Sequence, residues 1–464
     1  MKRCPIERAI RPRRALALRS GFSLPVAAFL LFGGCAHYAP VALARDPALA
    51  LPVAAILTAD SSRIERPFLR PEAVDLSRPL TPNALAVLAV LRGPDLIAAR
   101  AKAGVAGAQS FAARLLPDPT LTLGYDYRYA GPDMFNGLLA QLGLDLNALR
   151  TRRVAAEAAH AAGEQVRLDI AWAEWQAAGA VRLQGVRITA LTAALNLDRA
   201  SAATTTVRLD TSLRATGRGD IGGDAVETRR LAALDARDRA SIDARDLAAA
   251  RFELNRLLGL PAETKLLLAP APPVMPPPPA ATLDTLARSA RLDLQALQAG
   301  YRVQEAAVHR AVLDQFPALT LSINSARDTA DNRTIGPSLA FTAPIWNHNR
   351  GGIAVATATR AQLGAEYTAR LAHTTADIAA AAALVEAALR QRGELAPAIP
   401  ALAQFAAASR RAATRGDLAV ATAEVAEQTL RDRERTLVAL DQAASEGMIA
   451  LELLTGAPQE SWLR

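Results

Sequence analysis

Thr120-Leu121-Thr122-Leu123-Gly124-Tyr125-Asp126-Tyr127-Arg128-Tyr129 alternates without a break. Leu121, Leu123, Tyr125, Tyr127 and Tyr129 fall on one side of an extended chain. Thr120, Thr122, Gly124, Asp126 and Arg128 fall on the other. A period of two with one apolar, aromatic face marks a β-strand. Gly131-Pro132-Asp133 then turns the chain. Residues 137–147 alternate again, with Leu138, Ala140, Leu142, Leu144 and Leu146 opposite Gln141, Gly143, Asp145 and Asn147. Leu139 breaks the polar row. Two later stretches repeat the pattern around a turn at 328–333. Leu319, Leu321 and Ile323 alternate with Thr320, Ser322 and Asn324, and Leu339, Phe341, Ala343 and Ile345 with Ser338, Ala340 and Thr342. Strands are therefore expected at about 119–130, 136–147, 318–327 and 335–346.

Outward from the strands, the chain reads twice. Leu116-Pro117-Asp118-Pro119-Thr120-Leu121-Thr122-Leu123 is echoed by Phe316-Pro317-Ala318-Leu319-Thr320-Leu321-Ser322. Thr216-Gly217-Arg218-Gly219-Asp220-Ile221 is echoed by Ala413-Thr414-Arg415-Gly416-Asp417-Leu418. Leu257-Leu258-Gly259-Leu260-Pro261 is echoed by Leu453-Leu454-Thr455-Gly456-Ala457-Pro458. The offsets lie at about 197–200 residues, so the chain is a tandem duplication. The domain plan is a leader at 1–34, an extended segment at 35–80, a first repeat at 81–260 and a second at 282–457. A proline-rich linker at 261–281 joins the repeats, and a tail follows at 458–464. Pro270, Pro272, Pro273 and Pro276 to Pro279 hold the linker extended.

The rest of each repeat is helical. From Leu149 to Leu213 there is no proline, and about 60 residues at 1.5 Å each reach roughly 90 Å. The second repeat matches it, except that Pro397 and Pro400 predict a kink. The chain is 51% hydrophobic but only 4% aromatic, and close to a quarter of its 464 residues are alanine. Such a composition suits helices in close contact. A solvated coiled coil would read the same way. No stretch is long and apolar enough for a membrane-spanning helix.

The formal charge of +8 misleads. Seven of the 53 basic residues and one of the 45 acids fall in residues 1–34, which leaves 46 against 44. That near-balance gives nucleic acid no basic surface to bind. The same 34 residues carry a basic start, the apolar run Leu24-Pro25-Val26-Ala27-Ala28-Phe29-Leu30-Leu31-Phe32, and then Gly33-Gly34-Cys35. This is an export signal, and its ending resembles a bacterial lipobox. In that reading the chain is cut between Gly34 and Cys35, and Cys35 is acylated as a membrane anchor. A plain secretory cut near Ala36 is the other reading. Cys4 leaves with the leader, so the exported chain keeps one cysteine and no internal disulfide.

An exported chain with four strands of membrane length fits a transmembrane β-barrel, with Leu121, Leu123, Tyr125, Tyr127, Leu142, Leu144, Leu321 and Phe341 on its outer face. A half-buried soluble sheet shows the same alternation. Four strands cannot close, and an open edge cannot stand in lipid. Two copies give 8 strands and a filled interior; three give 12 and room for water. The polar faces favour the trimer.

The paired helices ending in Leu116-Pro117 and Phe316-Pro317, the four strands, the glycine-bearing helix turns and the closing Leu-Leu-x-Gly-x-Pro segments resemble the TolC family of outer-membrane efflux channels. The resemblance covers about residues 80–457 and rests on the duplicated order rather than on one motif. It implies a mainly α fold with a membrane β-barrel, in which a trimer pools four strands per chain into a 12-stranded barrel above a long α-helical barrel. It also implies a periplasmic adaptor and an inner-membrane pump of the resistance-nodulation-division type as partners. Pro344-Ile345-Trp346-Asn347-His348-Asn349-Arg350-Gly351-Gly352 looks like a segment common in the heavy-metal branch, which implies metal cations as cargo. Organic compounds or secreted protein remain the alternative, and a periplasmic scaffold without a channel is the rival from another class. The hairpin turns, with Gly217, Arg218, Gly219, Asp220, Arg415, Gly416 and Asp417, would meet the adaptor. Asp417 and Arg415 would sit at the pore constriction, where three carboxylates favour cations. Asp220 and Asp417 also suit plain helix N-caps.

No catalytic constellation is present. His37, His160, His309, His348 and His373 form no metal-binding spacing, and no phosphate loop, nucleophile elbow or dinucleotide fingerprint occurs. The chain is expected to be no enzyme, to bind no metal tightly and to need no cofactor. Glu424, Glu427, Asp432, Glu434 and Asp441 among Arg431, Arg433 and Arg435 read as i,i+4 ion pairs on a solvated face.

Overall fold

A computed structural model describes residues 39–43, 51–270 and 272–462. Gly34, Cys35 and the whole leader lie outside the described residues.

From residue 51 on, the chain lays down one short helix and then the same series twice. Helix α1 is Ala54–Ser61. The first series is α2 (Pro82–Arg92), α3 (Pro94–Ala112), β1 (Thr120–Asp126), β2 (Gly137–Asp145), α4 (Leu146–Gly217) and α5 (Gly223–Leu257). The second is α6 (Ala280–Ala290), α7 (Leu292–Leu313), β3 (Leu319–Arg327), β4 (Arg333–Phe341), α8 (Arg350–Leu395), α9 (Ile399–Arg415) and α10 (Val420–Thr455).

Local chemistry sets the joints. Thr81 caps α2 by accepting from the Ala84 amide at 2.9 Å, and Pro82 fills its first turn. Gly93 and Pro94 separate α2 from α3. Asp145 ends β2 and caps α4, accepting from the Asn147 and Ala148 amides. Helix α4 then runs 72 residues, about 108 Å at the standard rise. A single 3₁₀ turn, Ala396–Ala398, separates α8 from α9. Pro397 and Pro400 remove two backbone donors there, so the α-helical ladder cannot continue.

One expectation fails outright. The 35–80 segment is not wholly extended, because Ala54–Ser61 is helical. Ala54-Ala55-Ile56-Leu57 is free of glycine and proline and forms helix readily. Leu57 is buried, and the buried Ser61 hydroxyl accepts from the Val74 amide at 3.0 Å. The helix is thus pinned by the chain that follows it.

Each repeat has its own core. In the first, Leu85, Leu88, Ala178, Val181, Leu254 and Leu258 bring α2, α4 and the end of α5 into one core. In the second, Leu283, Ala287, Ile378, Val385, Met448 and Leu451 pack α6 between α8 and α10, with Trp462 closing the end. The linker joins the first core through a parallel bridge between Leu80 and Leu268. At the end of α10 the chain turns on Gly456, whose φ is +70°. A Cβ there would stand 2.9 Å from the Arg291 Cα. Gly456→Ala therefore meets both a left-handed backbone and a rigid neighbour, and is expected to cost about 2 kcal/mol. Thermal unfolding of the two proteins checks this; an unchanged midpoint would contradict it.

Candidate functional site

The four strands form one antiparallel sheet in the order β1-β2-β3-β4. Its register sorts side chains cleanly, because directly opposed residues share a face. Leu121, Leu142, Ile323 and Pro337 form one cross-strand row; Leu144, Leu321 and Leu339 form another. Leu123 opposes Ala140, Tyr125 opposes Leu138, and Leu319 opposes Phe341. Seven of the expected outer-face residues thus lie in the sheet on one apolar face. Tyr127, the eighth, stands one residue beyond β1 and is exposed.

The opposite face is hydrogen-bonded across three strands. Gln141 Nε2 donates to Ser322 Oγ at 2.9 Å, Ser322 Oγ meets Ser338 Oγ at 2.9 Å, and Asn324 Nδ2 donates to Ser338 Oγ at 2.8 Å. Leu139, the exception in the pattern, lies opposite Gly124. A Cβ on Gly124 would be 3.2 Å from that of Leu139, so glycine makes the room that leucine fills.

β1 ends at Asp126, short of the expected residue 130. The Arg128 amide leaves the ladder and bonds to Asn136 Oδ1 at 3.0 Å. β4 ends at Phe341, before Pro344. Pro337 sits within β4, where an edge strand tolerates a missing amide.

At the far end of the helices the two repeats use one turn. Gly219 and Gly416 have φ of +79° and +82°. The Asp220 amide bonds to the Ala215 carbonyl and the Asp417 amide to the Ala412 carbonyl, each at 2.9 Å. Both are Schellman turns, which need a left-handed residue and so favour glycine. Arg218 Nε donates to Asp220 at 2.9 Å and Arg415 Nε to Asp417 at 2.8 Å. The capping reading of these aspartates is wrong. The N-cap positions are Gly222 and Ala419, and each aspartate instead holds the arginine two residues before it. Arg415 is thereby engaged within its own chain. All four side chains are exposed, so the pairs add little stability.

Solved structures share the overall fold. CusC matches with a TM-score of 0.66 at 17% identity, over 81% of this chain and 92% of that one. VceC, an outer membrane protein of Vibrio cholerae, matches at 0.66 and 16%, over 81% and 96%. The CmeC outer membrane channel of Campylobacter jejuni matches at 0.69 and 13%, over 82% and 86%. The fold is that of these outer-membrane channels. No protein-family model and no curated protein matches the sequence.

Within this channel fold, buried charge ties the helices together. Glu174 on α4 is 2% exposed. It binds Arg66 of the N-terminal segment and Arg100 of α3, the latter at 2.7 Å. Burial alone raises its carboxyl, but the two guanidiniums outweigh burial and hold it below the ordinary value. Arg182 pairs with the buried Glu452 of α10 at 2.5 Å. There burial wins, and the Glu452 carboxyl is pushed up despite its arginine.

A second network was not read from the sequence. Glu427 is nearly buried and meets Arg208 of α4, Arg410 of α9 and Arg431 of α10. Glu424 meets Arg208 at 3.4 Å and Arg229 of α5 at 3.7 Å. Arg435 reaches Asp198 of α4 and, at 3.1 Å, Asp243 of α5. Glu424 and Glu427 therefore staple the two hairpins, whereas Asp432 and Asp441 stay exposed and Glu427 keeps an i,i+4 pair to Arg431 as well. The signal was present: Glu424, Glu427, Arg431 and Arg435 fall on one helical stripe.

Among the described residues, no helix is long and apolar enough to cross a membrane. No group of three or more His, Cys, Asp or Glu side chains among them is placed to hold a metal ion.

Proposed function

We propose that the chain is one protomer of a homotrimeric outer-membrane efflux channel of the TolC family. It is a passive exit duct, coupled through a periplasmic adaptor to an inner-membrane pump of the resistance-nodulation-division type. The observation that carries this is the open sheet. Its apolar face, polar opposite face and two unpaired edge strands are together stable in a bilayer only if other copies close the edges. Three copies supply 12 strands and a polar lumen. A scaffold without a channel has no use for such an apolar face. The fold shared with outer-membrane channels supports the same reading.

Cys35, acylated after cleavage behind Gly34, anchors the chain to the outer membrane. The hairpin turns at Gly217, Arg218, Gly219, Asp220 and at Arg415, Gly416, Asp417 recruit the adaptor. Three copies of Asp417, each beside its Arg415, ring the narrow end and favour cations. Asp417→Ala is expected to lower cation-over-anion selectivity severalfold in planar bilayers without changing the assembly. Unchanged selectivity would move the constriction elsewhere.

Metal cations are the proposed cargo, on the strength of the 344–352 segment. A deletion strain is tested by growth against divalent and monovalent metals and, in parallel, against dyes, detergents and antibiotics. Selective sensitisation to metals supports this cargo. Sensitisation to organic compounds alone makes the same duct a drug channel.

A further inference from the structure

Helices meet strands in four stretches, 109–119, 145–157, 309–318 and 342–353. Together these carry six arginines against four carboxylates. The two turns at the other end of the sheet, 126–137 and 327–333, carry three arginines against four carboxylates. The turn-end charges are answered locally. Arg327 pairs with Asp331 at 2.7 Å, and Arg128 donates to the Gly131 carbonyl at 2.8 Å.

At the helix end the excess is not neutralised. Arg153 pairs with Glu157 at 3.0 Å and Arg310 with Asp314 at 3.8 Å. Asp145, which caps α4, and Asp118 offset two more arginines in charge without pairing with them. Six arginines less four carboxylates leave each chain an excess of two positive charges here. No ion pair among the described residues includes Arg114, Arg150, Arg152 or Arg350. Arg152 donates to the Arg114 carbonyl. Arg150 lies 5.8 Å from the Phe316 ring centre. Large apolar side chains stand exposed among these cations: Leu115, Leu116, Phe316, Ile345 and Trp346, the last 89% exposed.

We propose that this belt binds the phosphodiester headgroups of anionic phospholipids in the periplasmic leaflet of the membrane. The proposal rests on reading the sheet as membrane-spanning. Three of the four strands have nine residues, the length of a tilted strand that crosses the hydrocarbon core. The helix ends then emerge at headgroup depth. Tryptophan prefers that depth, and arginine stems reach along apolar surface to place their charge there. Each unpaired arginine near an anionic surface favours it by about fivefold. The phosphates of lipid A would lie at the opposite, turn end, where the chain carries no excess positive charge.

The test uses the full-length channel in nanodiscs of phosphatidylethanolamine with phosphatidylglycerol, and lipid retention read by native mass spectrometry. Wild type is expected to retain phosphatidylglycerol at least tenfold over its share of the disc, less so as salt rises. The triple variant R114S/R152S/R350S is expected to lose at least tenfold of that preference. The matching lysine variant, R114K/R152K/R350K, is expected to keep most of it, and this control separates lost charge from lost fold. Equal retention of both lipids, or a serine variant as selective as wild type, overturns the proposal. So does a parallel set of discs doped with lipid A in which the serine variant loses lipid A while phosphatidylglycerol is kept. Single-channel conductance is recorded on the same samples. A conducting channel without lipid preference overturns the belt alone. Protein that neither inserts nor conducts overturns the belt together with the channel reading beneath it.

Discussion

Glu174→Ala should destabilise the protein by about 3 kcal/mol, the lower end of the range for breaking a buried ion pair. The carboxylate is almost wholly enclosed and neutralises two arginines from separate segments. Its removal leaves Arg66 and Arg100 facing one another across a cavity. Both arginine side chains keep about a third of their surface in water, which sets the lower end. The loss also removes the Arg66 tie between residues 65–70 and α4, leaving Phe68 edge-on against Trp175 as a contact that still holds the segment there. Thermal unfolding at neutral pH measures the effect. The pH profile gives a sharper check. A carboxyl held below its ordinary value of 4.5 contributes stability that is complete above that value. The contribution drains away as pH falls through the lower, folded-state value. Wild type should therefore lose stability in acid more steeply than Glu174→Gln. Parallel profiles would contradict the assignment.

The second large effect concerns the apolar sheet face. Leu123→Arg places a guanidinium in the row shared with Ala140. If that face meets lipid, the cost is about 2–4 kcal/mol per chain near mid-bilayer, and a trimer bears it three times. Insertion into vesicles should then fail or slow greatly. Thr122→Arg lies on the other face, opposite Gln141, which the proposed trimer would turn to a water-filled lumen. It should insert nearly as well as wild type and alter conductance instead. Equal insertion of both variants would mean that neither face is in lipid.

The sheet was legible because strand periodicity is local. One residue in two faces the same way whatever the strand packs against, so the apolar row from Leu121 to Tyr125 could be read directly. Even its exception had a local cause, since Leu139 needs the space that Gly124 leaves. Pro397 and Pro400 marked the break before α9 for an equally local reason. The duplicated turns were legible as turns, but the partners of Asp220 and Asp417 were not. A cap and an ion pair to the arginine two residues back use the same residues and differ only in backbone geometry.

The helical interior was harder to read. Alanine-rich helices show little contrast between faces, so the sequence does not say which side of α10 meets α4. Glu427 looks solvated until Arg208 and Arg410 arrive from two other helices. Glu174 is likewise silent in sequence, because its partners lie 108 and 74 residues away. Leu57 and Ser61 were missed for a related reason. Their helix is short, flanked by prolines, and held by the later Val74.

The central claim is that three copies of this chain close a water-filled pore. Single-channel recording of the purified full-length protein in a planar bilayer tests it most directly. Uniform conductance steps, with a cation preference that Asp417→Ala reduces, are predicted. A silent bilayer, from protein that remains monomeric in mild detergent, would contradict the claim.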